Sequence, residues 1–430
     1  MVAHENHPPL EGVRVLELGN FIAAPFAARV FGDFGAEVIK IERPGSGDEL
    51  RDWRKTRGET SMLFRTLARN KKSVELDLRS DAGQAAIKQL VASTDVVIEN
   101  FRPGTLERWG LAPETLMEIN PDLVLVRISG YGQTGPYRDR AGFGSSAESF
   151  AGLRYITGEP DRPAGRAAAS MGDTVAGLYG VIGALMLMFQ KAQKRAARNQ
   201  ATETDWSADS TDPQTLAQRQ VVDVALYEGV FSLLESLVPD YDAYGMVRQR
   251  TGGRLPGVVP TGSYSTGDGL EVVIGGNSNS VFRRLMTAID RPDLAEDDSL
   301  TTTEARGARE EELNGAITEW TSARDLKEVL DALNEAGVPA GPVYDAPSLA
   351  EDEHYLARNM IEVHDVVVED QPEPIRFPGV VPKIPGHQGE VRWVGPDLGE
   401  HTAEVLEGLE GFSTEQLAEM TGRSVVGADR

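Results

Sequence analysis

One carboxylate stands at the head of a long apolar run. Asp173 closes the segment Gly165-Arg166-Ala167-Ala168-Ala169-Ser170-Met171-Gly172-Asp173, and Thr174 to Phe189 after it is apolar apart from Thr174 and three glycines. An Asp at or near a helix N-cap accepts orphan backbone N–H groups, and the helix dipole favours its charge by roughly 0.3–1 kcal/mol. Both effects keep it ionised. On type and position alone the residue reads as an ordinary cap. Gly177, Gly180 and Gly183 share one flank of the helix, where another backbone could approach closely. The run is shorter than the ~20 residues of a membrane span, so a buried core helix is expected and no transmembrane helix.

Composition narrows the chemistry. The chain has 430 residues and no cysteine, which removes disulfides, thiolate metal sites and a cysteine nucleophile. Its length is enough for two lobes. No His lies between His7 and His354, and no H-x-x-x-H spacing occurs, so no metal site is expected. Acidic residues number 67 against 43 basic, a net charge of -24, which argues against nucleic acid and anionic membrane as partners. The polar start, Met1 to Pro9, has no apolar core of a secretory signal, so a cytoplasmic protein is expected.

The elements that must position Asp173 read as a parallel α/β sheet. Val13 to Leu18, Gly35 to Glu42, Ser73 to Leu78, Asp95 to Glu99 and Leu123 to Ser129 are expected strands, with helices over Asn20 to Gly35 and Ser80 to Ala92. No G-x-G-x-x-G follows the first strand, so a dinucleotide is not expected. Three loops, at Arg43 to Asp48, Asn100 to Gly104 and the glycine-rich Gly130 to Tyr137, fall at carboxyl ends of strands, where open α/β sheets bind ligands. The stretch from about 196 to 218 is expected as a solvated acidic insertion and Val221 to Val238 as a helix. A second, smaller α/β lobe is expected over Pro256 to Ala340. The divisions are then 9–220 for the first part of a large lobe, 221–340 for a linker helix and small lobe, and 341–430 for a return to the large lobe.

Taken together, these residues resemble the class III CoA-transferases, the family of formyl-CoA:oxalate and carnitine CoA-transferases and the α-methylacyl-CoA racemases. The resemblance runs from about Pro9 to Met420. It is carried by Pro9 to Leu16, Gly35 to Glu42, Val97 to Gly104, Gly130 to Pro136, Gly172-Asp173, Gly337 to Val343 and Leu398 to Thr402, all in order. It implies a Rossmann-like large lobe built from both chain ends, a smaller central α/β lobe and an interlocked-ring homodimer. It implies no tightly bound cofactor, with coenzyme A and acyl-CoA as substrates beside a free carboxylic acid. Asp173 resembles the residue that becomes acylated. Phe21, Arg43, Leu76, Asn100, Phe101 and Arg108 match positions that line the CoA site of the formyl-CoA branch.

The departures bear on the acid. Where that branch has an aromatic–acid pair after the glycine loop, this chain has Phe143 and Gly144; its lysine falls at Arg140 or Ala141, and its glutamine is Ile22. Oxalate and formate are therefore not the expected acids. The racemase branch needs a His beside the glycine loop, and Phe143 occupies that position. Val259 to Tyr264 and Val272 to Met286 are similar to enzymes that use succinyl-CoA with C4 and C5 dicarboxylates, the citramalate, malate and mesaconate group. Arg140, Arg154, Arg166 and the Gly275 to Ser280 turn are candidates for the second carboxylate of such an acid, and Phe143 and Ile22 for an apolar wall. A catalytically silent CoA-binding protein is the reading from another class. The acid excess, spread along the chain with no single acidic tail, also suggests a surface adapted to high salt. Thermal melts from low salt to multimolar KCl check this: stability should rise with salt, and full stability in dilute buffer would refute it.

Overall fold

The computed structural model describes residues 7–58, 60–200, 212–255, 257–407, 409–412, 416 and 421. Contacts divide the chain into two compact units, one of Met1–Ala151, Ala167–Leu234 and Leu356–Arg430, the other of Gly152–Arg166 and Glu235–Tyr355. The expected boundary at 221 therefore falls inside the first unit, and 341–355 belongs to the second.

In the first unit, six strands form one parallel sheet. They are β1 (Arg14–Glu17), β2 (Glu37–Glu42), β3 (Lys71–Glu75), β4 (Val96–Glu99), β5 (Val124–Ser129) and β6 (Val221–Ala225), in the order β3-β2-β1-β4-β5-β6. Every neighbour pair is parallel, with Val15 opposite both Val38 and Val96. The runs of Val, Ile and Leu on these strands are buried on both faces, as a sheet covered by helices on each side requires. The order reverses between β1 and β4, which opens a crevice at their carboxyl ends.

β6 corrects the expected helix over Val221 to Val238. Val221-Val222-Asp223-Val224 is β-branched and fills the free edge of β5, with Val222 opposite Val126; a short helix follows at Leu226–Phe231. The expected insertion also shrinks. The helix after Asp173 runs on to Gln200, and Pro213–Gln220 is a helix capped by Asp212, whose carboxylate accepts the Thr215 amide at 2.9 Å. Residues 201–211 of that insertion lie outside the described residues.

The helices α1 (Ala23–Asp33), α2 (Asp81–Val91), α3 (Gly144–Phe150) and α4 (Met171–Gln200) follow their strands or cover the sheet. The glycine flank of α4 faces inward. A Cβ on Gly177 would lie 2.8 Å from the Ala23 carbonyl oxygen of α1, and one on Gly180 would lie 3.0 Å from Val126 Cγ1 of β5. Only Gly177 therefore meets another backbone; Gly180 and Gly183 meet side chains of the sheet. By length and composition alone, Met171–Ala197 is apolar enough to cross a membrane, with mean hydropathy 1.5, which corrects the expectation that no stretch qualifies. Its inner flank packs as a core helix does. Its outer face leaves Leu178, Ile182, Leu185, Met186 and Phe189 exposed.

The C-terminal part of this unit ties back to the sheet edge. The Glu75 amide donates to Thr402 Oγ1 at 3.0 Å and the Gly399 amide to Ser73 Oγ at 2.9 Å, so the Leu398 to Thr402 motif closes the outer edge of β3. Ile361–Val368 pairs antiparallel with Gln371–Pro378.

The second unit holds a three-stranded antiparallel sheet of Thr261–Ser265, Glu271–Gly275 and Ala340–Pro342. Helices Asn279–Ala288, Glu310–Ser322 and Leu326–Glu335 share a core with Val272, Ile274, Leu285, Ile317 and Leu333. The stretch from Thr303 to Ser322 forms two helices, broken at Arg309. Arg306, almost wholly buried, donates to the Asn277 carbonyl at 2.8 Å and Asn279 Oδ1 at 2.8 Å, which fixes the glycine turn before the first of these helices.

Candidate active site

Asp173 lies in the first turn of α4, two residues after its start at Met171, and is not the N-cap. The Thr174 amide bonds to the Ser170 carbonyl at 3.0 Å, so the helix begins two residues before the acid. Asp173 is partly exposed while the helix behind it is packed. Its charge still lies in the favourable field of the helix N-terminus.

One side of this carboxylate is met by backbone. A Cβ added to Gly144, the first residue of α3, would lie 2.8 Å from Asp173 Cγ and would collide with Oδ2. A Cβ on Gly172 would lie 2.9 Å from the Gly144 carbonyl oxygen. Both positions must be glycine for the carboxylate to sit where it does. Gly142, two residues before Gly144, lies against Gly130: a Cβ on Gly130 would come within 2.7 Å of Gly142 Cα. The glycine-rich loop after β5 and the Gly172-Asp173 pair are thus joined through Gly142 and Gly144, a link the sequence spacing does not reveal.

Phe143 is 66% exposed, and its amide donates to Ser146 Oγ at 3.1 Å at the start of α3. The Arg140 guanidinium stacks 3.5 Å over the Tyr137 ring. Tyr131, Tyr137, Phe150 and Tyr227 meet edge to face or tilted nearby. Arg140 and Phe143 belong to the same unit as Asp173, whereas Arg154, Arg166 and the Gly275 to Ser280 turn belong to the other. Ile22 is not a pocket wall: it is buried with Leu50, Phe64 and Leu67.

A cleft of about 210 Å³ opens at the carboxyl ends of β1, β2 and β3. Arg43, Leu76 and Phe101 line it, together with Asp77, Arg79 and Trp109, which the sequence reading missed. Arg79 follows β3 as Arg43 follows β2, so the carboxyl-edge rule was the signal that would have found it. Each arginine carries a local acid: Arg43 bonds Glu49 at 3.1 Å and Arg79 bonds Asp77 at 3.0 Å. Phe21, Asn100 and Arg108 are not among the lining residues. Asn100 clamps the loop after β1, accepting the Asn20 amide at 2.9 Å and donating to its carbonyl at 2.8 Å across the switch point. Phe21 takes φ +61° in that loop and meets Trp53 edge-on. Arg108 is exposed and donates to Thr105 Oγ1 at 2.9 Å.

The sequence profile of CoA-transferase family III matches residues 10–201 and 214–402. The chain belongs to CoA-transferase family III. It is 44% identical over 420 residues to the succinyl-CoA–D-citramalate CoA-transferase of Chloroflexus aurantiacus, covering 97% of this chain and 98% of that one. It is 37% identical over 427 residues to the alpha subunit of the succinyl-CoA–L-malate CoA-transferase of Chloroflexus aurantiacus, covering 97% of this chain and 92% of that one. A crystal structure of a CaiB/BaiF family protein from Brucella suis superposes with TM-score 0.76 at 29% identity, over 93% of this chain and 99% of that one. The protein is a class III CoA-transferase, and enzymes of this family act on CoA thioesters and carboxylic acids.

Beneath the cleft of this transferase lies a buried ionic cluster. Glu17 accepts from Lys40 Nζ at 2.7 Å and Lys71 Nζ at 2.6 Å; Lys40 also pairs with Asp48 at 2.7 Å and donates to the Gly19 carbonyl at 3.0 Å. Glu42 takes both Arg51 Nε at 2.8 Å and Nη2 at 2.7 Å. Burial lowers the Lys71 ammonium to about 8 despite Glu17. Burial would lower Lys40 as well, but Asp48, Glu17 and Glu42 raise it. For Glu42, burial alone would raise the carboxyl; the Arg51 hydrogen bonds and the charges of Lys40 and Arg51 hold it at about 2. Because the folded value lies below the ordinary 4.5, the stability this carboxylate contributes is complete above about pH 4.5 and is lost as pH falls to about 2. The expected size is about 3 kcal/mol. Melting temperatures between pH 6 and pH 3 check it: Glu42→Gln should be less stable at pH 6 and lose less stability on acidification than the wild type, and parallel curves would refute it.

Proposed function

We propose that this CoA-transferase moves CoA from succinyl-CoA to a C4–C5 dicarboxylic acid such as mesaconate, itaconate or citramalate, with Asp173 as the nucleophile. One Asp173 oxygen attacks the succinyl carbonyl carbon, the C–S bond breaks, and CoA thiolate leaves a succinyl–aspartyl anhydride. The thiolate attacks the aspartyl carbonyl and expels succinate, giving an aspartyl-CoA thioester. The acceptor carboxylate attacks that carbonyl and expels thiolate again. The thiolate then attacks the acceptor acyl carbon, releasing the new thioester and the Asp173 carboxylate. No proton is gained or lost overall, and no metal is required.

The observation that carries this reading is the glycine surround of Asp173. With Gly144 and Gly172 bearing no side chains, the carboxylate has no neighbouring bulk on that side, and Gly144 places no acid there of the kind the oxalate branch carries. Backbone N–H groups are what developing oxyanions need. Succinyl-CoA as donor is supported by the names of the Chloroflexus relatives. Arg140, stacked on Tyr137 in the same unit, is the candidate for the second carboxylate of the acceptor, because a guanidinium binds carboxylate bidentately. Phe143 offers apolar surface to a methyl-branched skeleton. Arg43, Leu76 and Phe101, with Arg79 and Trp109, are read as the coenzyme contacts in the cleft. Phe21, Asn100 and Arg108 shape its rim.

Three measurements test this. Asp173→Asn should lose more than about a thousandfold in kcat while binding CoA normally, since no other nucleophile is available. Hydroxylamine should trap an adduct on the wild-type Asp173 peptide after incubation with succinyl-CoA. In the same preparation, a panel of acceptors read by mass should rank a C4–C5 dicarboxylate above oxalate, carnitine and monocarboxylates in kcat/KM. If oxalate or carnitine ranks first, the acid assignment fails and the family assignment is untouched.

The outer face of α4 supports a homodimer. Leu178, Ile182, Leu185, Met186 and Phe189 form one stripe, with Met186 66% and Phe189 65% exposed. A second copy of the chain is the occupant proposed for it, since an apolar stripe of this size is unusual on a free surface. Light scattering should give twice the chain mass, and Met186→Glu with Phe189→Glu should shift it toward monomer. A wild-type monomer at micromolar concentration would refute the dimer.

A further inference from the structure

Behind the cleft, an ionic chain joins its two aromatic walls. Glu99 ends β4 and is 1% exposed. One of its oxygens accepts the Phe101 amide at 2.6 Å and the other accepts Arg127 Nε at 2.7 Å. Arg127, on β5, turns its two terminal nitrogens to Glu107, at 2.8 and 3.3 Å. Glu107 stands on the short helix Thr105–Arg108, immediately before Arg108 and Trp109. Phe101 and Trp109 both line the cleft and meet edge to face with ring centres 5.0 Å apart.

A buried carboxylate of this kind is costly. Burial pushes the Glu99 carboxyl up to about 7 even against Arg127 and the Phe101 amide. An apolar pair would fill the same place with less desolvation, so packing alone gives no reason for it. What the charged chain does that an apolar pair could not is hold four directed bonds whose far ends are the backbone of one ring and the helix of the other.

We propose that Glu99 is a positioning residue for the coenzyme: through the Phe101 amide on one side and Arg127–Glu107 on the other, it sets the spacing of the Phe101 and Trp109 rings that receive CoA. The proposal rests on the reading of this cleft as the coenzyme site. It assigns Glu99 no contact with the reacting atoms, so chemistry at Asp173 should proceed once the coenzyme is bound.

Glu99→Gln tests it with little change of shape. The amide can accept at only one oxygen, so its NH2 must face either the Phe101 N–H or Arg127 Nε, donor against donor. The full chain should bind CoA about tenfold more weakly, the equivalent of about 1.4 kcal/mol, by calorimetry or Trp fluorescence. KM for succinyl-CoA should rise in parallel, with kcat at saturation within about threefold of wild type and KM for the acceptor acid unchanged. Glu107→Gln, at a partly exposed position, should weaken CoA binding in the same direction by about threefold, and it decides the matter if the Glu99 variant does not fold. A folded variant whose Kd for CoA stays within about twofold of wild type, or whose kcat falls at unchanged KM, overturns the proposal. Wild-type protein that binds no CoA overturns it together with the coenzyme reading. Wild-type protein that binds CoA but yields no Asp173 adduct removes the nucleophile assignment alone, and the binding measurements on the two variants then decide this proposal unaided.

Discussion

The first unit is built around a charge that cannot reach water. Glu17 lies inside the sheet on β1, wholly buried, and among the described residues it is paired with Lys40 from β2 and Lys71 from β3. Each lysine has a further acceptor at the carboxyl edge: Lys40 takes the Gly19 carbonyl and Lys71 the Pro25 carbonyl. Removing one partner would leave a buried charge uncompensated, a cost of about 3–5 kcal/mol. The cluster therefore fixes more than the register of three strands. Asp48, paired with Lys40, accepts the Phe21 amide at 3.1 Å, so the loop after β1 and the loop after β2 are held by the same charges. Both loops border the cleft.

The same economy of backbone appears around Asp173. A carboxylate at the head of α4 has to meet α3 without intervening side chains, and Gly144 and Gly172 make that approach possible. Gly130 and Gly142 repeat the device one layer out. The sheet then supplies the rigid frame. Gly177, Gly180 and Gly183 let α4 settle on α1, β5 and β6, so the packing of a long helix places the acid. This is how a site on a helix terminus gains precision.

The cleft proposed for the coenzyme and the acid are positioned by different means. Asp173 depends on close backbone contact, whereas the cleft depends on ions behind its walls. Arg43 and Arg79 each carry an acid partner at its mouth, and Glu99, Arg127 and Glu107 brace it from within. In a chain with net charge -24, this cleft bears two arginines beside apolar rings, groups that suit a phosphate-bearing ligand.

Much of this was legible in the sequence. Five of the six strands could be read from runs of Val, Ile and Leu between turn residues, because burial on both faces of a parallel sheet leaves that local signature. The Gly172-Asp173 pair before an apolar run marked the acid, and the carboxyl-edge loops marked where a ligand would lie. β6 was hidden, since Val221 to Val224 runs straight into an apolar helix and only the open edge of β5 made it a strand. The N-terminal shift of α4 past Asp173 was hidden for a similar reason: helix ends are set by which amides find partners, and Ser170 supplied one. Trp109 and the Gly142–Gly144 link to Gly130 came from tertiary contact alone. Asn100 carried the right position but a different immediate task, since both ends of its amide bond Asn20 across the switch point. Sequence determines which segments must be buried and which residue types can do the chemistry, because those are local properties of composition and period. Which backbone lies against Asp173, and which charges stand behind the cleft, were decided only when distant segments packed together.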